Sequence, residues 1–305
     1  KIKITFKIVL LSGFMFSVWL PFSFGEKLHF LTYLGGGGED YCHSIAVGGD
    51  DCAIVCGATK STDFPLSDPL FPSPIGDWDL FITKFSFDGT SLIYSTFMGG
   101  SAEEDAMALT VDDNGCAYLT GYTYSSDFPT KNPYQSSGND SGETDIYVSK
   151  LSSAGSTLIF STFLSGNSWE YAYRISVEAE EIYIGGGTNS LDFPTFNPYQ
   201  STHSGGDCDG IVLKLGTSGS TLIYSTFLGG EGFENIYGCA AMDQRLYLTG
   251  FTSSNTFPTC NAYQSSLGGQ NDAIVSCLNS SGDSLEFSTF LGGEYQEESY
   301  GIAVE

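Results

Sequence analysis

Ser95-Thr96-Phe97-Met98-Gly99-Gly100 returns as Ser161-Thr162-Phe163-Leu164-Ser165-Gly166, as Ser225-Thr226-Phe227-Leu228-Gly229-Gly230 and as Ser288-Thr289-Phe290-Leu291-Gly292-Gly293. A degenerate copy, Leu31-Thr32-Tyr33-Leu34-Gly35-Gly36, stands ahead of them. The spacing is about 64 residues. A fixed period of this size marks a repeat architecture, in which units bury their apolar faces by stacking on one another.

One unit, read outward from Ser161-Thr162-Phe163, contains four strand-like runs. Met107 to Val111 is a short apolar run, and Asp112 to Gly115 is a turn of the Asn-Gly type. Ala117 to Thr123 is rich in aromatic and β-branched residues, as strands are. A long polar loop carries Asp127-Phe128-Pro129, and two more runs, Ile146 to Leu151 and Thr157 to Leu164, close the unit. No window shows an apolar period near 3.6, so no helix is expected after the leader. Four short antiparallel strands per repeat predict an all-β protein, a β-propeller of four-stranded blades. Ile146 and Val148 point to one side of their run, Tyr147 and Leu151 to the other. Apolar residues on both faces suit a sheet sandwiched between neighbours.

These motifs resemble the bacterial β-propeller repeats known as SBBP repeats. The likeness rests on Asp145 to Leu151 with Lys150, Tyr224 to Gly230, Gly301 to Val304, Ala117 to Thr123 and Asp127 to Pro129, and spans nearly everything after residue 28. It implies a fold and an exported protein, and no activity. Departures are Ser165 in a Gly slot, Cys277 in the Lys slot and Thr256 in the Asp slot. By phase, the chain opens on a fourth strand, Leu28 to Leu34, and stops on a first strand, Gly301 to Glu305. This predicts an incomplete propeller with further repeats beyond Glu305.

The chain has 305 residues and a net charge of −25, which disfavours nucleic acid and anionic membrane surfaces. Lys1, Lys3 and Lys7, the apolar run Ile8 to Leu20, and Ser23-Phe24-Gly25 read as a signal peptide over residues 1–25. The run is too short to span a bilayer. The mature segment, 26–305, is therefore expected to be secreted or at the cell surface, without a membrane span. Export permits disulfides, but the eight cysteines do not recur at one repeat position.

Strand order places the long loops, after the second and fourth strands, on one face. Loops positioned this way by a rigid scaffold commonly carry function. The candidate binding face comprises Glu39, Asp40, Tyr41, Trp169, Glu170, Tyr171, Glu231, Phe233, Glu234, Glu297 and Glu298. Glu103, Glu104 and Asp105 are candidate Ca²⁺ ligands, weighed against a solvated acidic rim that binds nothing. Recurrent Phe64, Phe128, Phe193 and Phe257 are expected to wedge blades together. Recurrent Asp79, Asp145 and Asp209, with Lys84, Lys150 and Lys214 five residues on, are expected to be structural, since a catalytic site is needed once. The Asp has two readings: capping its own turn or pairing with a neighbouring blade. His29, His43 and His203 lie in no hydrolase motif. The sequence thus favours a non-enzymatic, exported binding scaffold with a protein ligand and no required cofactor. The rivals are a carbohydrate-recognition module of a larger adhesin or enzyme and, more remotely, a polysaccharide-active propeller.

Overall fold

The computed structural model describes residues 30–139 and 142–305. The expected signal peptide lies outside them. Four antiparallel sheets follow one another, each with its strands in chain order. The first blade is β1 (Asp40–Val47), β2 (Ala53–Thr59), β3 (Asp79–Phe85) and β4 (Leu92–Met98). The second is β5 (Glu104–Val111), β6 (Ala117–Thr123), β7 (Asp145–Leu151) and β8 (Leu158–Leu164). The third is β9 (Glu170–Glu178), β10 (Glu181–Thr188), β11 (Asp209–Gly216) and β12 (Leu222–Leu228). The fourth is β13 (Glu234–Met242), β14 (Arg245–Thr252), β15 (Asp272–Leu278) and β16 (Leu285–Leu291). There is no helix among the described residues. This is a β-propeller of four-stranded blades.

The first strands face one another from blade to blade: β1 on β5, β5 on β9, β9 on β13. The cores lie between sheets. Ile146 and Val148 of β7 pack with Ile182, Ile184, Ile211 and Leu213 of the third blade. Tyr147 and Leu151, on the opposite face of β7, pack with Ile54, Cys56, Leu80 and Ile82 of the first. The period-2 alternation of a strand thus serves two neighbours at once.

The recurrent Ser-Thr-Phe run is explained residue by residue. The Ser hydroxyl donates to the carbonyl of the Asp-Phe-Pro proline: Ser95 to Pro65 at 2.6 Å, Ser225 to Pro194 and Ser288 to Pro258 both at 2.7 Å. The Thr hydroxyl accepts the amide of Phe71, Gln135, Gln200 or Gln264 at 2.8 to 2.9 Å. The Phe enters the core. The long loop therefore folds back along the fourth strand, where Ser67, Lys131, Phe196 and Cys260 bridge Ser95, Ser161, Ser225 and Ser288. Part of each outer edge, an exposed template for aggregation, is covered.

Phe64, Phe128, Phe193 and Phe257 are each 3% exposed. Their rings meet Phe81, Tyr147, Phe227 and Phe290, strands of their own blade, so they fix the loop to its blade rather than wedging two blades. The wedge is a different ring. The strand-four aromatic lies where a Cβ on the next blade's turn glycine would stand: Tyr94 at Gly155, Phe160 at Gly219, Tyr224 at Gly282. Phe30 takes that place at Gly89. The expected opening strand therefore sits as a fourth strand would, yet residues 30–39 pair with no sheet and form no strand. The expected closing strand behaves alike. The Glu297 amide donates to Asn271 O, as Glu104 does to Trp78 O, but 301–305 is not a strand.

Lys84, Lys150 and Lys214 reach Asp50, Asp112 and Glu181 at 2.7, 3.1 and 2.5 Å. Asp50 and Asp112 lie in the first-to-second turn and Glu181 at the start of the second strand of the same blade, so the ion pairs stay within a blade. The Asp residues cap their own loops: Asp79 accepts the Ile75 and Gly76 amides, Asp145 that of Asn139, Asp209 that of Ser204.

Candidate functional site

An acid stands four residues after a Gly in all five copies, Gly36 to Asp40, Gly100 to Glu104, Gly166 to Glu170, Gly230 to Glu234 and Gly293 to Glu297, and the first four of these acids open a first strand. Glu104 accepts the Thr123 hydroxyl at 2.7 Å and the Gly100 amide at 3.0 Å. Glu170 accepts Thr188, and Glu234 accepts Thr252 and the Gly230 amide. Asp40 takes Thr59, Ser61 and the Gly36 amide, and Glu297 takes the Gly293 amide. Glu104, Glu170 and Glu234 are at most 1% exposed, so these three candidates are buried joints rather than members of a binding rim. Burial pushes their carboxyls up, to about 7, about 8 and about 7.

Two of the three candidate Ca²⁺ ligands, Glu104 and Asp105, are engaged by other partners. Successive strand side chains point to opposite faces. Glu104 is spent on Thr123 and Gly100, while Asp105 is bound to His43. Among the described residues no group of three or more His, Cys, Asp or Glu side chains is arranged to hold a metal ion.

Each first strand also carries a one-residue bulge, at His43, Met107, Tyr173 and Tyr237. A bulge re-aims the side chain it carries. At the junction of the second and third blades the surrounding space is filled by rings: Tyr122 on Tyr171 at 4.9 Å and Trp169 on Tyr171 at 5.6 Å. At the next junction Tyr173 meets Tyr237 at 4.9 Å, and Phe233 stacks on Phe251 at 5.8 Å. Trp169, Tyr171 and Phe233 thus serve packing. Glu231 is held by its backbone amide, which donates to Ser254 and Thr256. Thr256 here supplies the acceptor that Asp127 supplies to Ser101. Glu298 accepts the Tyr300 hydroxyl.

The first junction differs. It holds a cleft of about 290 Å³ lined by Tyr41, His43, Ala58 and Trp78 of the first blade and Glu103, Glu104, Asp105 and Tyr122 of the second. Ala58 stands where Tyr122 and Phe251 stand in the second and fourth blades and Gly187 in the third, and Ala58 lines the cleft wall. Trp78 stands where Thr144, Cys208 and Asn271 stand. Tyr41 lies 5.3 Å from Trp78 and is 47% exposed. His43 Nε2 meets Asp105 Oδ2 at 3.0 Å, the side chains 32% and 14% exposed. The hydrogen bond His43 donates to the Asp105 carboxylate, partly offset by burial, raises the His43 pKa above its ordinary value. Asp105 Oδ1 is shielded and accepts no hydrogen bond. Beside the cleft, Lys60 pairs with Asp77 at 2.6 Å and lies over the Trp78 ring at 4.9 Å. Glu39 is exposed nearby.

Of the sequence-derived candidates, the cleft unites Tyr41, Glu103, Glu104 and Asp105. His43, Trp78 and Tyr122 were not among them. Their signal was departure from the repeat: a Trp where sisters carry small or polar residues, and a His at a bulge that elsewhere carries Met or Tyr.

No family model matches the chain. It is 27% identical over 241 residues to the regulatory protein FlaEY of Caulobacter vibrioides, a match covering 72% of this chain and 24% of that protein. The chain thus spans about a quarter of that relative's length. Similar solved structures include BamB from Moraxella catarrhalis, with TM-score 0.34, 12% identity, and coverage of 83% of this chain and 65% of that one. The Dos1 propeller has TM-score 0.34, 12% identity and coverage of 87% and 70%. The NanB sialidase from Streptococcus pneumoniae has TM-score 0.45, 8% identity and coverage of 83% and 52%. Likenesses this loose say nothing about activity.

Proposed function

We propose that the chain is an exported propeller of SBBP-type repeats that acts as a secreted or cell-surface binding module, not an enzyme, and holds its partner between the first two blades. One observation carries this reading: residues that break the repeat coincide with a cleft lined by rings and carboxylates. Packing is needed at every junction, whereas a ligand site is needed once. Tyr41, His43, Trp78 and Asp105 add nothing the other junctions need, and they leave rings and a carboxylate at the surface.

A carbohydrate-recognition module is the second reading, favoured by the exposure of Tyr41 beside carboxylates. The test is capture of native partners by the full chain and by a Tyr41→Ala/Trp78→Ala variant with an unchanged fold. Loss of the captured partner supports the cleft. Equal capture by both proteins would place binding elsewhere.

A further inference from the structure

We infer that the cleft takes a cationic side chain, a lysine ammonium or arginine guanidinium carried on an exposed segment of a partner protein. The inference rests on the cleft being the binding site and names the chemistry it selects. Charge decides between ligand classes. Glu39, Asp77, Glu103 and Asp105 surround the opening, against Lys60 and the His43 imidazole, in a chain of net charge −25. Carboxylates next to aromatic faces attract a cation, because the ring quadrupole presents negative charge on its face.

The cleft itself holds one such contact already. The Lys60 ammonium, paired with Asp77, lies 4.9 Å from the Trp78 centroid. That ammonium covers a face of the largest ring, which a stacked sugar would need bare. Tyr41, half exposed beside the His43 imidazole, and Tyr122 line opposite walls, with Glu103 exposed at the mouth. Glu104 takes no part, being spent on Thr123 and Gly100. On the long-loop face, the other two junctions carry rings in this place.

The experiment titrates the full chain with a blocked peptide of Gly-Ser-Lys repeats, its Glu counterpart and a neutral oligosaccharide panel. The Lys peptide is expected to bind and the Glu peptide not. Glu103→Gln and Tyr41→Ala should each weaken binding about tenfold. Glu180→Gln, an equal charge change in the β9–β10 turn on the opposite face, should leave it unchanged. If Glu180→Gln weakens binding as much as Glu103→Gln, the attraction is to bulk charge and the inference is overturned. If the Lys peptide fails while an oligosaccharide binds and Tyr41→Ala abolishes that binding, the cleft stands and the cationic class falls. If capture of the native partner survives Tyr41→Ala/Trp78→Ala, the cleft reading itself falls.

Discussion

Thr123 donates its hydroxyl to Glu104 across β5 and β6 at 2.7 Å, and this bond, repeated as Thr188 to Glu170 and Thr252 to Glu234, is the joint on which successive blades are hung. Each carboxylate also faces the Gly-Gly loop arriving from the blade before. A Cβ on Gly99 would come within 2.6 Å of both Glu104 and Asp79, so the loop passes close to both carboxylates.

Replacing Glu104 by Ala strands the Thr123 hydroxyl and the Gly100 amide without an acceptor. A buried donor left unpaired costs about 1–3 kcal/mol. Glu104→Ala should therefore lower the unfolding free energy measured by chemical denaturation by that amount, and Glu104→Gln, which keeps an acceptor oxygen, by much less. Equal losses would remove the hydrogen bonds from the account.

The same carboxyls make stability depend on pH. The Glu170 value rises from 4.5 in the free side chain to about 8 in the fold. Between those values the folded chain holds a proton that the unfolded chain has released, so stability falls as pH rises. This contribution is complete below about 4.5 and is lost as pH climbs through about 8. Self-repulsion of the acidic chain acts in the same direction. The discriminating comparison is Glu170→Gln, whose melting temperature should fall less than wild type between about pH 5 and pH 9. Parallel curves would contradict the assignment.

Gly219 has φ of +72° and would place a Cβ 2.1 Å from the Phe160 ring. Gly219→Ala thus meets both a left-handed backbone and a blade-to-blade wedge. The expected loss exceeds about 1 kcal/mol. Gly49→Ala, where a Cβ meets nothing within 4 Å, should be near neutral. Thermal melts of the pair check this, and similar melting temperatures would refute the wedge.

The blade plan was legible because each recurring residue does a local, repeated job. Ser225 and Thr226 hold a loop, Phe227 fills a core, and the Asn114-Gly115 turn ends a strand. The buried acids were misread because an acid beside Gly-Gly looks like a solvated loop. Their constant offset of four from a Gly, in all five copies, was the available signal. Strand β5 starts at Glu104 rather than Met107 for the same reason: bonding at Glu104 extends the strand past its apolar part. The cleft was harder to read. It depends on Ala58, Trp78 and Asp105 meeting across two blades, and sequence distance conceals that.

The most direct test of the central claim is hydrogen exchange of the full chain with and without its captured partner. The account predicts slowed exchange in the loops that border the cleft, residues 75–78 and 99–103, with no change in the turns of the opposite face at 112–115 and 179–181. Protection confined to that opposite face, or to the third and fourth blades, would contradict it.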